Sequence, residues 1–271
     1  MIESAKIVNS FATIRMDTLF IGRKIIELDS VASTNSYATE LLHANTPAEG
    51  LVIFTKNQTN GKGQRGNKWL SEPLSNLTFS IVLYPHFLKA EQQFILTKTI
   101  ALGVADFMSD LLLKEGISDE VKIKWPNDIF VGNKKIAGIL IENSLRNETI
   151  SNSVVGIGIN LNQTFFGKDA PNAISVKILT NTTQNLNTCL KNIFSNIEKR
   201  YLQLRFSKIN ILEKDFLAKL YKYDEWSFFM IKNEKTKGRI TGIAASGKLI
   251  LEHENLFFAE YALKEIAFII D

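Results

Sequence analysis

The stretch GKGQRGNKW, residues 61–69, carries glycines at 61, 63 and 66 and so satisfies G-x-G-x-x-G. That pattern marks a dinucleotide site only where it follows a strand, opens a helix and precedes an acidic residue by about 20 positions. LVIF (51–54) reads as the preceding strand, but the chain continues as LSEPLSNLTFSIVLY, residues 70–84. Pro73 and Ser75 interrupt it, and residues 77–84 alternate as another strand. No helix begins, so no βαβ unit can be built and the dinucleotide reading falls. The Gly-Lys-Ser/Thr ending of a nucleotide-triphosphate loop is missing as well. Two readings remain. Glycines at positive φ can turn successive N–H groups inward to cradle phosphate oxygens. Lys62, Arg65 and Lys68 would add charge, Gln64 an amide, and Trp69 a face for a purine. A plain polar loop, its cations in water and its tryptophan anchored to the core, accounts for the stretch alone equally well.

The rest of the composition narrows the setting. With 271 residues, 45% hydrophobic, and a mean hydropathy of about zero, the chain can build a full core. Its net charge of +4 comes from 32 basic and 28 acidic residues that are interspersed, not clustered, which is weak support for nucleic-acid binding. Cys189 is the single cysteine, so there is no internal disulfide framework, and its amphipathic surroundings favour a small buried thiol over a nucleophile. The three scattered histidines, His43, His86 and His253, do not make a zinc cluster with it. No apolar run spans a bilayer, and Glu3, Lys6 and Arg15 break up the N-terminus, so a cytoplasmic protein is expected.

Along the chain, KIIEL (24–28) reads as a strand, followed by a helix capped by Ser33 or Thr34 with Tyr37, Ala38, Leu41 and Leu42 on one side. Helical spacing recurs over 91–114, 186–206 and 209–221, and four strands crowd together between 121 and 161. The last fifty residues are short strands split by turns, as in a small β-barrel or sandwich. The pattern predicts a mixed α+β fold, with an N-terminal extension over 1–21, a main domain over 22–222 and a C-terminal β domain over 223–271. The first fifteen residues fit either a strand or a ragged extension.

The second chemical signal is VKIKWPND, residues 121–128. Alternation sets Val121 and Ile123 on one face and Lys122 and Lys124 on the other. A half-buried strand with solvated lysines is the plain reading. The ending argues for more: Pro126 fixes φ, and Asn127 and Asp128 can bond their own backbone, so the turn would hold Lys124 in one place. A fixed ammonium suits a reaction in which a carboxylate meets a triphosphate. Lys135 is a second candidate cation, and Gly138 suggests close backbone approach within a strand.

STN (33–35), QTNGKGQRGNKW (58–69), KWPND (124–128), KKIAGIL (134–140) and GIGIN (156–160) resemble, in order and spacing, the biotin protein ligases. The resemblance is strong over about residues 20–165 and looser beyond. It implies a mixed-sheet catalytic domain of the class II synthetase-like, biotin–lipoate ligase kind and an SH3-like C-terminal domain. It also implies biotin, ATP and Mg²⁺ as reactants, with the metal arriving on ATP and no metal ligand on the protein. The acceptor would be a biotin carboxyl carrier domain. By the same resemblance, Ser33, Thr34, Asn35 and Gln58 would bind biotin together with Gly61, Lys62, Gly63, Gln64 and Lys124. The nucleotide would lie against Lys62, Gln64, Arg65, Trp69, Asn127, Lys135, Gly138 and Asn160. Lys124 and Arg65 would be catalytic, with Lys124 bridging the carboxylate and α-phosphate.

The family's loop often reads G-R-G-R-x-G-R-x-W, whereas here Lys62, Gln64 and Asn67 replace arginines, so residue 64 loses its charge. Asp119 and Glu120 are candidates for the base that deprotonates the acceptor lysine, with plain solvation at a strand edge as the competing reading. Too few residues precede the catalytic pattern for a winged-helix DNA-binding domain, so no DNA partner, and no membrane, is expected. The family includes monomers and homodimers. Two other functions stay in play. A lipoate–protein ligase would carry an Arg-Arg-x-x-Gly-Gly-Gly type of loop, which is missing here, and a non-catalytic biotin-binding regulator would not need Lys124.

Overall fold

A computed structural model describes residues 16–270; the alternatives for the first fifteen residues lie outside that range. The chain runs β1 (Ile25–Leu28), α1 (Thr34–Ala44) and β2 (Val52–Thr55), then a two-stranded hairpin of β3 (Gly61–Lys62) and β4 (Lys68–Trp69). It continues through β5 (Leu77–Leu83), α2 (Gln93–Lys114), β6 (Val121–Lys124), β7 (Asp128–Val131), β8 (Lys134–Arg146) and β9 (Thr149–Ile159). Three helices follow, α3 (Val176–Thr180), α4 (Leu186–Arg205) and α5 (Ile209–Lys219). The last strands are β10 (Trp226–Ile231), β11 (Glu234–Ile243), β12 (Leu249–His253), β13 (Phe258–Tyr261) and β14 (Ile266–Phe268).

Seven strands form one sheet in the order β1-β2-β5-β9-β8-β7-β6. Only β1 and β2 pair in parallel within it, because α1 crosses over between them; the other pairs are antiparallel. The sheet is therefore mixed, as expected. Helix α1 covers one face through Ala38, packed with Leu28, Ile53 and Val82. Helix α2 covers the other. It is sandwiched between sheet, α4 and α5, and so is apolar nearly all round, from Ile95 to Leu112. This double cover explains one departure from the sequence pattern: β5, read as alternating, is buried at every residue. Helix α3 was not foreseen, and α5 ends at Lys219, two residues early, because Tyr221 donates its N–H to Ile123 O at 2.9 Å along the edge of β6. Cys189 is buried between α2 and α4, and burial pushes its thiol up to about 11, as suits an inert core residue.

Helix α4 also anchors the start of the described chain. The buried Glu198 carboxylate accepts the N–H groups of Leu19 (2.6 Å), Phe20 (2.8 Å) and Ile21 (2.9 Å). Glu198→Ala would strand three donors against the core, and we expect it to cost about 3 kcal/mol of unfolding free energy, read by urea denaturation. Glu198→Gln, which keeps one acceptor oxygen, should lose less. Equal loss in both would show that one acceptor oxygen and the side-chain bulk do not suffice and that the full carboxylate holds the segment.

The C-terminal strands form a second sheet, β13-β12-β11-β10-β14, antiparallel throughout and consistent with an SH3-like unit. Its inner face is Phe229, Ile231, Ile240, Leu249, Leu251 and Ile266. It docks on the first sheet through the turn between β11 and β12. Trp125 donates its indole N–H to Gly247 O at 2.8 Å, and Gly247, at φ +86°, lies so close to Phe94 that a Cβ there would sit 2.7 Å from the ring.

Candidate active site

The register of the large sheet aligns chemistry that is scattered along the chain. One row across it runs Thr78, Gly158, Gly138, Asp128, Lys124, each residue opposite the next on the adjacent strand. Two residues along the same strands lies a parallel row, Ser80, Gly156, Leu140. Period two puts both rows on one face. Apart from the fully buried Ser80, they floor an open cavity of about 460 Å³, roofed by the β3–β4 hairpin and walled by the N-terminus of α1 and by β14.

The Ser80 row carries the polar end. Ser33 is the N-cap of α1, as expected, and Thr34 donates its backbone N–H to Gln58 Oε1 at 2.9 Å. The buried Ser80 hydroxyl reaches Thr34 Oγ1 at 2.7 Å and Asn35 Oδ1 at 2.6 Å, and Asn35 Nδ2 donates to Glu142 Oε2 at 2.7 Å. Gly156 makes room for this: a Cβ there would stand 2.2 Å from Asn35 Oδ1. Hydroxyls and amides held by one another at a helix N-terminus suit a small neutral head with both donors and acceptors.

The Gly158 row carries the aromatic and cationic end. Trp69 lies on the sheet over Gly158 and Gly138, where added Cβ atoms would stand 2.2 Å and 3.1 Å from its ring. Gly138 thus has the close contact expected of it, but its neighbours are Trp69 and Lys135 side chains. The Trp69 indole N–H is buried with no partner among the described residues. Lys135 bonds Asp128 at 2.7 Å and stands 5.6 Å over Trp69. Asn127 ties β7 to β8, donating its side-chain amide to Ile139 O at 2.5 Å and accepting the Ile139 N–H at 3.0 Å. This corrects the expected turn, since Asn127 and Asp128 are spent on β8 and Lys135, not on their own backbone.

Lys124 ends the row. No hydrogen bond or ion pair of its ammonium is found among the described residues, and it sits 4.8 Å from the centre of the Phe268 ring and 5.4 Å from that of Phe130. Burial holds its pKa below the ordinary lysine value; Asp128 opposes that shift and Lys135 adds to it. Lys122, on the same face of β6, instead pairs with Glu120 at 2.9 Å.

Lys62, Gly63 and Gln64 of the hairpin line the cavity. Gly61 does not: its missing side chain lets β3 cross beside Trp69 O and Gln58 Nε2, 2.3 Å and 2.5 Å from where a Cβ would be. Arg65 lies in the 3-10 turn Gln64–Gly66, and its side chain is outside the described structure. Asn160 departs from expectation. It is buried and outside the cavity lining, donating its side-chain amide to Ile174 O at 3.1 Å, while its side-chain oxygen has no partner among the described residues. Asp119 and Glu120 are exposed and lie outside the cavity lining.

Sequence reasoning missed Ser80, which holds Thr34 and Asn35 from behind, and among the lining residues Asp128, Gly156, Gly158 and the whole wall from β14 and its preceding turn, including Lys264, Ala267 and Phe268. The two glycines had a signal, since they alternate with apolar residues along β9. The β14 wall had none.

The cavity thus joins a polar niche, an ammonium with no ion pair among the described residues and an indole over a glycine floor. Residues 27–160 match the Biotin/lipoate A/B protein ligase family, and the chain carries a domain of that family. Over 149 residues it is 32% identical to the bifunctional ligase/repressor BirA of Bacillus subtilis, covering 55% of this chain and 43% of that protein. It is 34% identical over 134 residues to the biotin–[acetyl-CoA-carboxylase] ligase of Paracoccus denitrificans, covering 48% and 53%. The match thus spans about half the length of these curated relatives. In fold it is similar to the biotin protein ligase from Aquifex aeolicus in complex with biotin and ATP, at TM-score 0.75 and 23% identity, covering 92% of this chain and 100% of that one. Among the described residues no helix is long and apolar enough to cross a membrane.

Proposed function

We propose that this protein is a biotin–protein ligase. A biotin carboxylate oxygen attacks the α-phosphorus of ATP, the bond to the β-phosphate oxygen breaks, and pyrophosphate leaves biotinyl-5′-adenylate. The amine of a carrier-domain lysine then attacks the acyl carbon, loses a proton and releases AMP. The observation that carries this reading is Lys124: an ammonium with no ion pair among the described residues, on the row where Trp69 lies and one row from the α1 polar niche. Two anions must meet there, and a fixed cation offsets their repulsion and the charge growing on the phosphoryl oxygens.

Ser33, Thr34, Asn35 and Gln58 suit the ureido head, and Trp69, Asn127 and Lys135 suit the nucleotide. Arg65 and Gly61 belong to the hairpin that would close over the intermediate. Asp128, the carboxylate among the lining residues, is engaged by Lys135, so the residues present do not form a metal site of their own. Mg²⁺ would enter on the triphosphate and neutralise part of its charge. The acceptor would be a biotin carboxyl carrier domain.

The deciding measurement is pyrophosphate release with ATP, Mg²⁺ and either biotin or lipoate, followed by mass gain on a purified carrier domain. Biotin-dependent release and a biotinyl mass gain are expected. Release with lipoate alone would reassign the substrate, and biotin binding without release would leave a ligand-sensing protein.

A further inference from the structure

The ammonium of Lys124 is held by two rings from different sheets. Phe130 is on β7 of the large sheet, 5.4 Å away, and Phe268 is on β14 of the small one, 4.8 Å away. Each ring is itself fixed. Tyr221 lies between them, 5.6 Å from Phe130 and 5.9 Å from Phe268, and is pinned by its hydroxyl donating to Asn133 Oδ1 at 2.7 Å. Behind Phe268 stands the fully buried Phe229, ring to ring at 5.4 Å and opposite it in the β10–β14 register. The cluster therefore bridges the sheets and ends on Lys124, a cavity cation with no ion pair among the described residues, whereas Lys135 on the neighbouring strand pairs with Asp128. An aromatic face attracts a cation while excluding water from it, so it can fix an ammonium without spending its charge on a carboxylate. A salt bridge in the same place would neutralise Lys124 before any substrate arrived.

We propose that Phe268 is a positioning residue for Lys124: with Phe130 it clamps the ammonium from two sides, which makes the C-terminal sheet part of the acid-activating site. The catalytic consequence rests on the ligase reading above, whereas the clamp itself does not. The charged groups facing Lys124 are Asp128 on β7 and Lys135 on β8, with Lys62 and Lys68 on the hairpin and Lys264 before β14 along the cavity wall. None of these is altered by substitution at 268.

The clamp predicts opposite effects from two substitutions. Phe268→Leu keeps the apolar bulk but removes the aromatic face, so the charged form loses attraction and Lys124 should titrate lower than in the unmodified protein. Phe268→Ala lets water reach the ammonium, so Lys124 should titrate higher, toward an ordinary lysine. Phe268→Tyr keeps the face and should behave as the unmodified protein does. The titration is read by NMR on protein labelled at lysine Cε, with Lys124→Met identifying the resonance. In biotin-dependent ATP–pyrophosphate exchange, Leu and Ala should each lower kcat roughly tenfold, and Tyr should restore it. Ile231→Ala truncates the core of the same sheet opposite Ile266, away from the ring, and controls for general loosening.

Shifts in opposite directions for Leu and Ala, with none for Ile231→Ala, establish the clamp. Leu and Ala titrations that coincide with the unmodified protein, or a shift of equal size in Ile231→Ala, overturn it. If the unmodified protein shows no biotin-dependent exchange while the opposed shifts are present, the clamp stands and the ligase reading falls.

Discussion

Lys124→Met should abolish biotin-dependent ATP–pyrophosphate exchange, with a loss of about a thousandfold or more, while the fold survives intact. Both halves follow from one fact: the ammonium is held among rings without an ion pair among the described residues, so it stabilises incoming anions and not the resting protein. Its pKa is lowered chiefly by burial, from the ordinary 10.5. Between the lowered value and 10.5 the unfolded chain binds more protons than the folded one, so stability rises with pH across that window and is flat below it for this group. The Met variant should lack that slope and be at least as stable as the parent at neutral pH. Carboxylate and phosphate binding should raise the pKa again, so substrate binding in the window should take up a proton, measurable by calorimetry in buffers of differing ionisation enthalpy. Gln64→Ala, which removes an uncharged hairpin residue, should cost far less activity than Lys124→Met. Equal losses would place the anion on the hairpin instead of on β6.

The second large effect should come from adding a single methyl group. Gly158→Ala puts a carbon 2.2 Å from Trp69 Cε2 and 2.5 Å from Cζ2, on a strand paired on both sides, so the strand cannot yield and the indole must. Displacing the nucleotide platform should raise the KM for ATP by about thirtyfold or more, with a change in tryptophan fluorescence and a smaller change for biotin. Gly156→Ala, one row along, strikes Asn35 Oδ1 at 2.2 Å and should do the reverse, raising the KM for biotin most. Gly167→Ala, with nothing within 4 Å of its added carbon, is the control. If both floor glycines affected the two substrates alike, the division of the cavity into a polar end and a nucleotide end would be wrong.

These tests show where sequence reasoning reached and where it stopped. Lys124 was legible because three local signals coincide: alternation through Val121 and Ile123, a strand end, and a proline turn. Ser33 was legible because capping is a matter of four successive residues. Asn160 lies outside the cavity lining, and the sequence shows that GIGIN ends a strand but not that the next side chain meets Ile174 O. The expected asparagine turn failed in the same way, since Asn127 has a better partner in Ile139, which only the β7–β8 register brings alongside.

The sequence by itself determined that a strand, not a helix, follows the glycine loop, and hence that this is a mixed α+β fold with a strand-end lysine. Those features rest on periodicity and turn chemistry, which act over a few neighbouring residues. Tertiary structure alone decided that β5 is buried on both faces, that Asp128 is consumed by Lys135, and that Phe268 closes over Lys124 from the other sheet. Each of those depends on the register and docking of elements far apart in the chain. Such contacts are fixed by the packing of whole faces and leave no mark on the residues next to them.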